Sequence, residues 1–163
     1  MTSLLMLAAL GTAEATEVGD NRAFGLGVQL GRPFGLTGKI YMGGRTNAID
    51  FLVGTDYGSR GYYYDGFTAQ VAYHWHLVEL TSGGGVAIPF RIGVGGFLGT
   101  GYRDGYWYDR GGDLSLGARV PFGLDFDLER APVQFYIELA IRIVIFPGIY
   151  PDGDGGIGFR YYF

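Results

Sequence analysis

Hydrophobic residues recur at every second position along most of the chain, which is the period of a β-strand with two different faces. Clusters of Gly, Pro, Asp and Asn divide this alternation into separate segments. They predict eight strands, at residues 23–31, 35–42, 47–57, 66–77, 88–99, 113–123, 133–145 and 155–163. Most of these segments are close to the roughly 9 to 11 residues with which a tilted strand crosses a bilayer.

The two strand faces differ sharply in charge. One face carries no charged residue in any of the eight segments, and Val94, Leu116 and Ile137 are typical of it. All charges within the segments lie on the opposite face. Because lipid cannot satisfy backbone N–H and C=O groups, a sheet with an oil-facing side must close. The pattern therefore predicts an all-β fold, an eight-stranded antiparallel up-and-down transmembrane β-barrel.

The charged face would then line an interior that eight strands leave just wide enough for side chains to fill. We expect an ion-paired lumen, not an open pore, with a network formed by Lys39, Asp50, Arg91, Arg119, Glu138, Arg142 and Arg160. Five cations against two carboxylates leave an excess of positive charge, so a narrow ion channel is an alternative. A soluble lipocalin-like barrel, with the apolar face inside, is another.

Aromatic residues of the uncharged face gather near the strand ends. One row falls at the end of the barrel that holds both termini, and it comprises Phe24, Trp75, Phe90, Phe122, Phe135 and Phe163. Such rings favour the boundary between membrane and water. The row predicts an aromatic girdle.

Composition agrees with a chain short of polar surface. Charged residues make up 17% of the 163 residues, against about 25% in ordinary soluble domains, and 31 residues are Gly. A net charge of −4 argues against a nucleic-acid partner.

The N-terminal "SLLMLAALGTAEA" predicts a signal peptide over residues 1–15, although no Lys or Arg precedes it. Residues 16–163 then form a single barrel domain.

Candidate chemistry inside the barrel is sparse. His74 and His76 share one face, but no third metal ligand is evident, so we expect them to form hydrogen bonds and predict neither a metal nor a cofactor. Hydrolysis would need Ser115, His74 and Glu138 to meet, yet Ser115 and His74 fall near opposite ends of the barrel. We predict no catalytic residue and no enzyme, with lipid A modification as the enzymatic alternative.

The predicted outer loops are rich in Tyr, Asp and Gly, a mixture also used by binding paratopes. Contacts with a surface ligand or partner protein are expected from Tyr62, Tyr63, Tyr64, Tyr106, Trp107 and Tyr108.

Two connections have lengths that are unusual for a membrane barrel. The outer one at Arg32-Pro33 is very short, and the turn over residues 78–87, on the side of the termini, is long.

The closing "GIGFRYYF" resembles the C-terminal signature of Gram-negative outer-membrane barrels, an alternating strand that ends in Phe. The number and size of the segments resemble the small eight-stranded members of that class. More narrowly, "FGLGVQLGRPFGLTGKIYM", "RTNAIDFLVG", "AYHWHL" and "DGGIGFRYYF" are similar to an uncharacterised barrel family of myxobacteria and their relatives.

This resemblance implies a place in the bacterial outer membrane with both termini in the periplasm. It also implies outer-membrane lipids and the barrel assembly machinery as partners. The family supplies no established activity. The expected role is a membrane scaffold, or a surface-interaction protein that acts through its outer loops.

Overall fold

The computed structural model describes residues 23–42, 46–56, 63–64, 66–103 and 113–163. The predicted signal peptide, residues 1–15, lies outside these ranges. The described elements are all strands: β1 (Phe24–Arg32), β2 (Phe34–Met42), β3 (Asn47–Asp56), β4 (Tyr63–Tyr64), β5 (Gly66–Gly83), β6 (Val86–Arg103), β7 (Asp113–Leu128), β8 (Val133–Phe146) and β9 (Tyr150–Tyr162). In these ranges no helix is long and apolar enough to cross a membrane.

The eight long strands form one closed antiparallel barrel. Each pairs with its neighbours along the chain, β1 also pairs with β9, and the two-residue strand β4 is added beside β6. The prediction of an eight-stranded antiparallel up-and-down barrel is confirmed. Alternation sets the strands, and short turns such as that between Arg32 and Phe34 connect them.

The hairpin of β5 and β6 corrects the predicted long turn over residues 78–87. Both strands continue through this region with two irregularities in register, and only Gly84 and Gly85 form the turn. Both glycines have positive φ, 69° and 90°, as a tight two-residue hairpin requires. Strand β7 likewise runs to Leu128, five residues beyond its predicted end, and β9 begins at Tyr150, five before its predicted start.

The register fixes the shape of the barrel. A path across successive paired residues from Leu26 passes Gly38, Phe51, Val71, Gly96, Ala118, Ile143 and Pro151. If the register between β9 and β1 is extended, Pro151 corresponds to position 36 on the line of β1. The path that started at Leu26 therefore returns to β1 about ten residues further along, and this offset is the stagger of the barrel. With a rise of about 3.3 Å per residue and about 4.8 Å between strands, the strands tilt by about 40° around a barrel of about 8 Å radius.

The uncharged face points outward. Val94, Leu116 and Ile137 are 51%, 38% and 47% exposed, whereas Arg119 and Arg142 are each 4% exposed. This orientation is the reverse of the one expected for a lipocalin-like barrel, whose apolar side chains would fill the interior. Among the described residues, the interior combines buried charged and polar groups with a smaller set of apolar and aromatic side chains, such as Leu52, Phe97 and Tyr136.

Five residues of the predicted girdle, all except Phe122, lie toward one end, which we call the termini end because β1 begins and β9 ends there. Phe122 lies six residues inside β7, because this strand continues to Leu128. The Phe24 and Phe163 rings stack with centroids 6.4 Å apart, and Trp75 and Phe135 are exposed on the outer wall. Phe90 and Phe122 are partly exposed on the neighbouring strands β6 and β7. The opposite end is called the loop end.

Candidate functional site

The seven charged residues predicted for the interior are all buried inside the barrel: Lys39, Asp50, Arg91, Arg119, Glu138, Arg142 and Arg160. Six of the eight long strands contribute buried Lys, Arg, Asp or Glu side chains to the site formed there, and β5 contributes two buried histidines. Alternation directs them inward, as the burial pattern of β8 shows, where every second residue from Gln134 to Val144, including Glu138 and Arg142, is buried and the intervening residues are exposed. The interior is therefore the one region in which the chain concentrates chemically active groups among the described residues.

The first part of the site is a set of ion pairs near the termini end, which we call the central cluster: Lys39, Asp50, Arg91, Asp125 and Glu138. Asp125 binds two cations, with Oδ2 at 2.5 Å from Lys39 Nζ and Oδ1 at 2.7 Å from Arg91 Nε. Arg91 also donates to Glu138 Oε2 at 2.5 Å. Because all of these groups are out of water, each charge depends on its partners for solvation.

Asp50 and Glu138 link the central cluster to further arginines. Arg160 donates from Nη2 to Asp50 at 2.9 Å and to Thr37 Oγ1 at 2.8 Å, and its guanidinium lies 4.1 Å from the centre of the Tyr136 ring. Arg119 donates to Glu138 at 2.6 Å. The same guanidinium reaches Asp154 at 2.7 Å, toward the loop end. The ion pairs thus run through the interior as one connected network.

The second part of the site lies toward the loop end, and we call it the mouth cluster: Arg32, Asp56, Arg142 and Asp152. Arg32 forms a two-point contact with Asp152 at 2.9 and 3.0 Å and a third bond with Asp56 at 2.7 Å. Asp56 also accepts from Arg142 Nη1 at 2.7 Å. The Arg32, Asp56 and Asp152 side chains keep 22%, 17% and 21% of their exposure, so this cluster is partly in contact with solvent.

The predicted network lacked three buried carboxylates, Asp125, Asp127 and Asp154. With them, the buried cations and carboxylates of the described residues number five each, so the expected excess of positive charge was wrong. The signal was present in the sequence. Asp125 and Asp127 continue the parity of Arg119, and Asp154 shares that of Arg160, but turn-forming neighbours indicated loops at both places.

The two histidines are buried and fully engaged. His76 Nδ1 donates to the Thr46 carbonyl at 3.1 Å, and Nε2 lies between Lys39 Nζ at 2.9 Å and Asp125 Oδ2 at 3.3 Å. His74 forms with Asp50 and Glu138 a group whose ligand atoms lie within 4.8 Å of one another. Arg91 Nη1 contacts all three, at 2.9 Å from His74 Nδ1, so a guanidinium occupies the place where these ligands converge.

Bulky side chains complete the filling of the interior. Tyr136 lies over Gly158 and Phe97 over Gly117, at positions where a Cβ atom would collide with the ring. Phe97 in turn carries the Arg142 guanidinium 3.9 Å above its centre. A cavity beside Asp50 has room for about one water molecule. This part of the interior is packed rather than open.

Ser115, His74 and Glu138 do not form a catalytic arrangement. Ser115 pairs with Gly99 and donates to its carbonyl at 3.3 Å, while His74 pairs with Gly93. These two positions of β6 are six residues apart, or about 20 Å along the strand. The nucleophile and base required for hydrolysis are therefore separated.

The structure describes only two of the six aromatic residues predicted for loop contacts. Tyr63 and Tyr64 form β4, which pairs with Arg103 and Tyr102 of β6, whereas Tyr62, Tyr106, Trp107 and Tyr108 lie outside the described residues.

Comparisons of the chain with protein-family models, curated proteins and solved structures found no match.

Proposed function

We propose that the protein is an integral outer-membrane barrel whose outer wall lies in lipid and whose interior is a sealed, ion-paired support. It acts as a membrane scaffold or presents its outer loops for contacts at the cell surface. The observation that carries the proposal is the sidedness of the barrel. Exposed large hydrophobic side chains cover the wall, and the buried charges lie within.

The wall supports a lipid environment by its extent. Exposed apolar residues occur on all eight long strands, and on β8 alone they include Phe135, Ile137, Leu139, Ile141, Ile143 and Ile145. A monomer in water rarely exposes contiguous apolar patches of more than a few hundred Å². An apolar surface that encircles a barrel instead matches the lipid-facing band of membrane barrels.

The packed interior favours a scaffold over the alternative of a narrow channel. An ion that entered would meet the Arg119 and Arg142 guanidinium groups, which are held between carboxylates at both ends of the network. The cavity beside Asp50 is too small for a hydrated ion. We therefore expect purified protein in planar bilayers to show no steady single-channel conductance. Regular ohmic steps would favour the channel.

The membrane location is tested with the tryptophans. Trp107→Phe leaves Trp75, which is 38% exposed on the wall, as the sole tryptophan. After folding into vesicles, we expect brominated lipid to quench its fluorescence and iodide to have little effect. Heat-modifiable gel mobility provides the check on folding, and envelope fractionation of cells the check on location. Quenching by iodide alone, with the protein in the soluble fraction, would refute the proposal.

A matched pair of substitutions tests the membrane location through the free energy of folding into vesicles. Leu139→Arg places a charge midway along the exposed face of β8, and it should reduce the free energy of folding into vesicles by about 2–4 kcal/mol. Leu139→Ala controls for the loss of the side chain. If arginine costs no more than alanine, this face does not meet hydrocarbon.

The surface role is supported by the pairing of β4 with β6. It joins Tyr63 and Tyr64, which precede β5, to Arg103 and Tyr102 of β6, within two of the segments predicted as outer loops. Replacing Tyr63 and Tyr64 with Ser should weaken binding of vesicle-embedded protein to lipopolysaccharide or whole cells. Unchanged binding with an unchanged folded band would leave the scaffold role alone.

A further inference from the structure

The rim at the loop end is uneven where the structure describes it, and the lower of its two described turns is the one at Arg32-Pro33 between β1 and β2, which we call the rim notch. Heights follow from the register. Each residue along a strand tilted by about 40° adds about 2.5 Å along the axis, and each step to the next strand adds about 3 Å. Measured from Leu26, the rim notch lies at about 15 Å, whereas Ile145 of β8 and Leu114 of β7 lie at about 24–26 Å.

At the termini end, Phe24, Met42, Leu128 and Val133, which begin or end four strands, all lie about 5–9 Å below Leu26. The β5–β6 hairpin extends further, with Val86 and Gly83 about 13–16 Å below Leu26. The exposed apolar wall is therefore about 20 Å high at β1 and β2 and about 30 Å high at β7 and β8, three strands further around the barrel. Between these two pairs of strands, the difference arises at the loop end.

Charge at the rim notch sharpens this difference. Arg32, Asp56 and Asp152 lie about 15–19 Å above Leu26 and keep about a fifth of their side-chain exposure. At the same height on β7, the outward residues are Ala118 and Leu116, both exposed and apolar. A flat layer of hydrocarbon that covered Leu116 would also cover the partly exposed ions at the rim notch.

We propose that the protein thins the outer leaflet of the membrane beside the β1–β2 hairpin, so that lipid headgroups and water descend to the rim notch. The inference rests on the proposed membrane location. Rigid tilting is the other way to accommodate the uneven rim, but it would also displace the lower ends of β1, β2, β7 and β8, which lie at similar heights, and move Phe135 of β8 out of line with Phe24 of β1. Thinning changes only the leaflet at the loop end.

The chain has no cysteine, so single spin labels can be placed at chosen heights. Leu30 of β1 and Val120 of β7 are exposed and both lie about 10 Å above Leu26, and this is the upper pair. Leu26 and Leu124, on the same two strands, lie within about 1 Å of one another in height and form the lower pair. Each is replaced by Cys, labelled and folded into phosphatidylcholine vesicles with 18-carbon chains, and its depth is read from accessibility to oxygen and to a nickel chelate.

Thinning predicts that the label at position 30 lies about 4 Å or more closer to the headgroups than the label at position 120. The labels at positions 26 and 124 should lie at equal depth. In vesicles with 12-carbon chains the difference in the upper pair should shrink, because a thin bilayer already matches the low side. Leu36 and Val94, which also share a height, replace the upper pair if either variant fails the gel-mobility check of folding.

Three results would overturn the inference or its basis, and they are distinguishable. Equal depth in both pairs would show a flat bilayer and no thinning. An equal offset in both pairs would show a rigidly tilted barrel. Labels that the nickel chelate reaches at all four positions, with no lipid contact, would refute the membrane location itself.

Discussion

The central cluster and the mouth cluster use the same ion pairs in different surroundings. In the central cluster the Lys39, Arg91 and Asp125 side chains have no exposure at all, whereas Arg32 and Asp152 of the mouth cluster keep about a fifth of theirs. Pairs near water gain little, because solvent competes for both partners. In the dry interior, removal of one partner strands the other charge. Burial therefore decides which pairs the fold depends on, although the distances are alike.

The largest effect is expected from Asp125→Asn. The change preserves shape but leaves Lys39 and Arg91 short of their shared carboxylate, and we expect a loss of about 3–5 kcal/mol in the free energy of unfolding. Urea titration of the folded barrel in vesicles, followed by gel mobility, measures it. The matched control is Asp56→Asn in the mouth cluster. If the control loses as much, burial does not separate the two clusters.

A smaller loss is expected from Glu138→Gln, although it too removes a carboxylate from two arginines. Arg91 keeps Asp125 and Arg119 keeps Asp154, so each cation retains a partner. We expect about 2–3 kcal/mol in the same titration. Stability equal to that of the unchanged protein would argue that the interior arginines do not rely on Glu138.

The central cluster also shows how much of the fold and of the site could be predicted from the sequence. Alternation and turn residues predicted eight strands, the closed barrel and the inward direction of charge, because these depend on local periodicity. The end of β7 and the start of β9 were predicted wrongly, because Gly and Asp favour turns in isolation. Pairing with β6 and β8 keeps the segment around Asp125 in a strand, and pairing with β8 does so for Asp154.

The particular ion pairs lay beyond prediction for a different reason. Arg160 and Asp50 are 110 residues apart in the chain, and which arginine meets which carboxylate depends on the stagger of the closed barrel. Periodicity gives the face on which a residue lies but not its height. The height of the rim notch was hidden for the same reason, although the short turn at Arg32-Pro33 was visible in the sequence.

Asp56→Asn should have a modest effect. Asp56 joins Arg32 to Arg142, but the first of these cations is also held by Asp152 and is partly hydrated. We expect a loss of about 1 kcal/mol in the urea titration. A value above that of Glu138→Gln would mean that the mouth cluster, despite its exposure, is the stronger support.

The smallest expected effect is the coupling free energy between Arg32 and Asp152. Its dependence on salt concentration distinguishes the mouth cluster from the central cluster most clearly. A double-mutant cycle with Arg32→Gln and Asp152→Asn should give about 0.5 kcal/mol at low ionic strength. At about 1 M NaCl the screening length falls to about 3 Å, so this coupling should largely disappear. The loss caused by Glu138→Gln should stay constant over the same range, because salt does not reach the central cluster. If salt weakened both alike, water and ions would have to pass the mouth cluster and enter the barrel, and the interior could not be the sealed support proposed here.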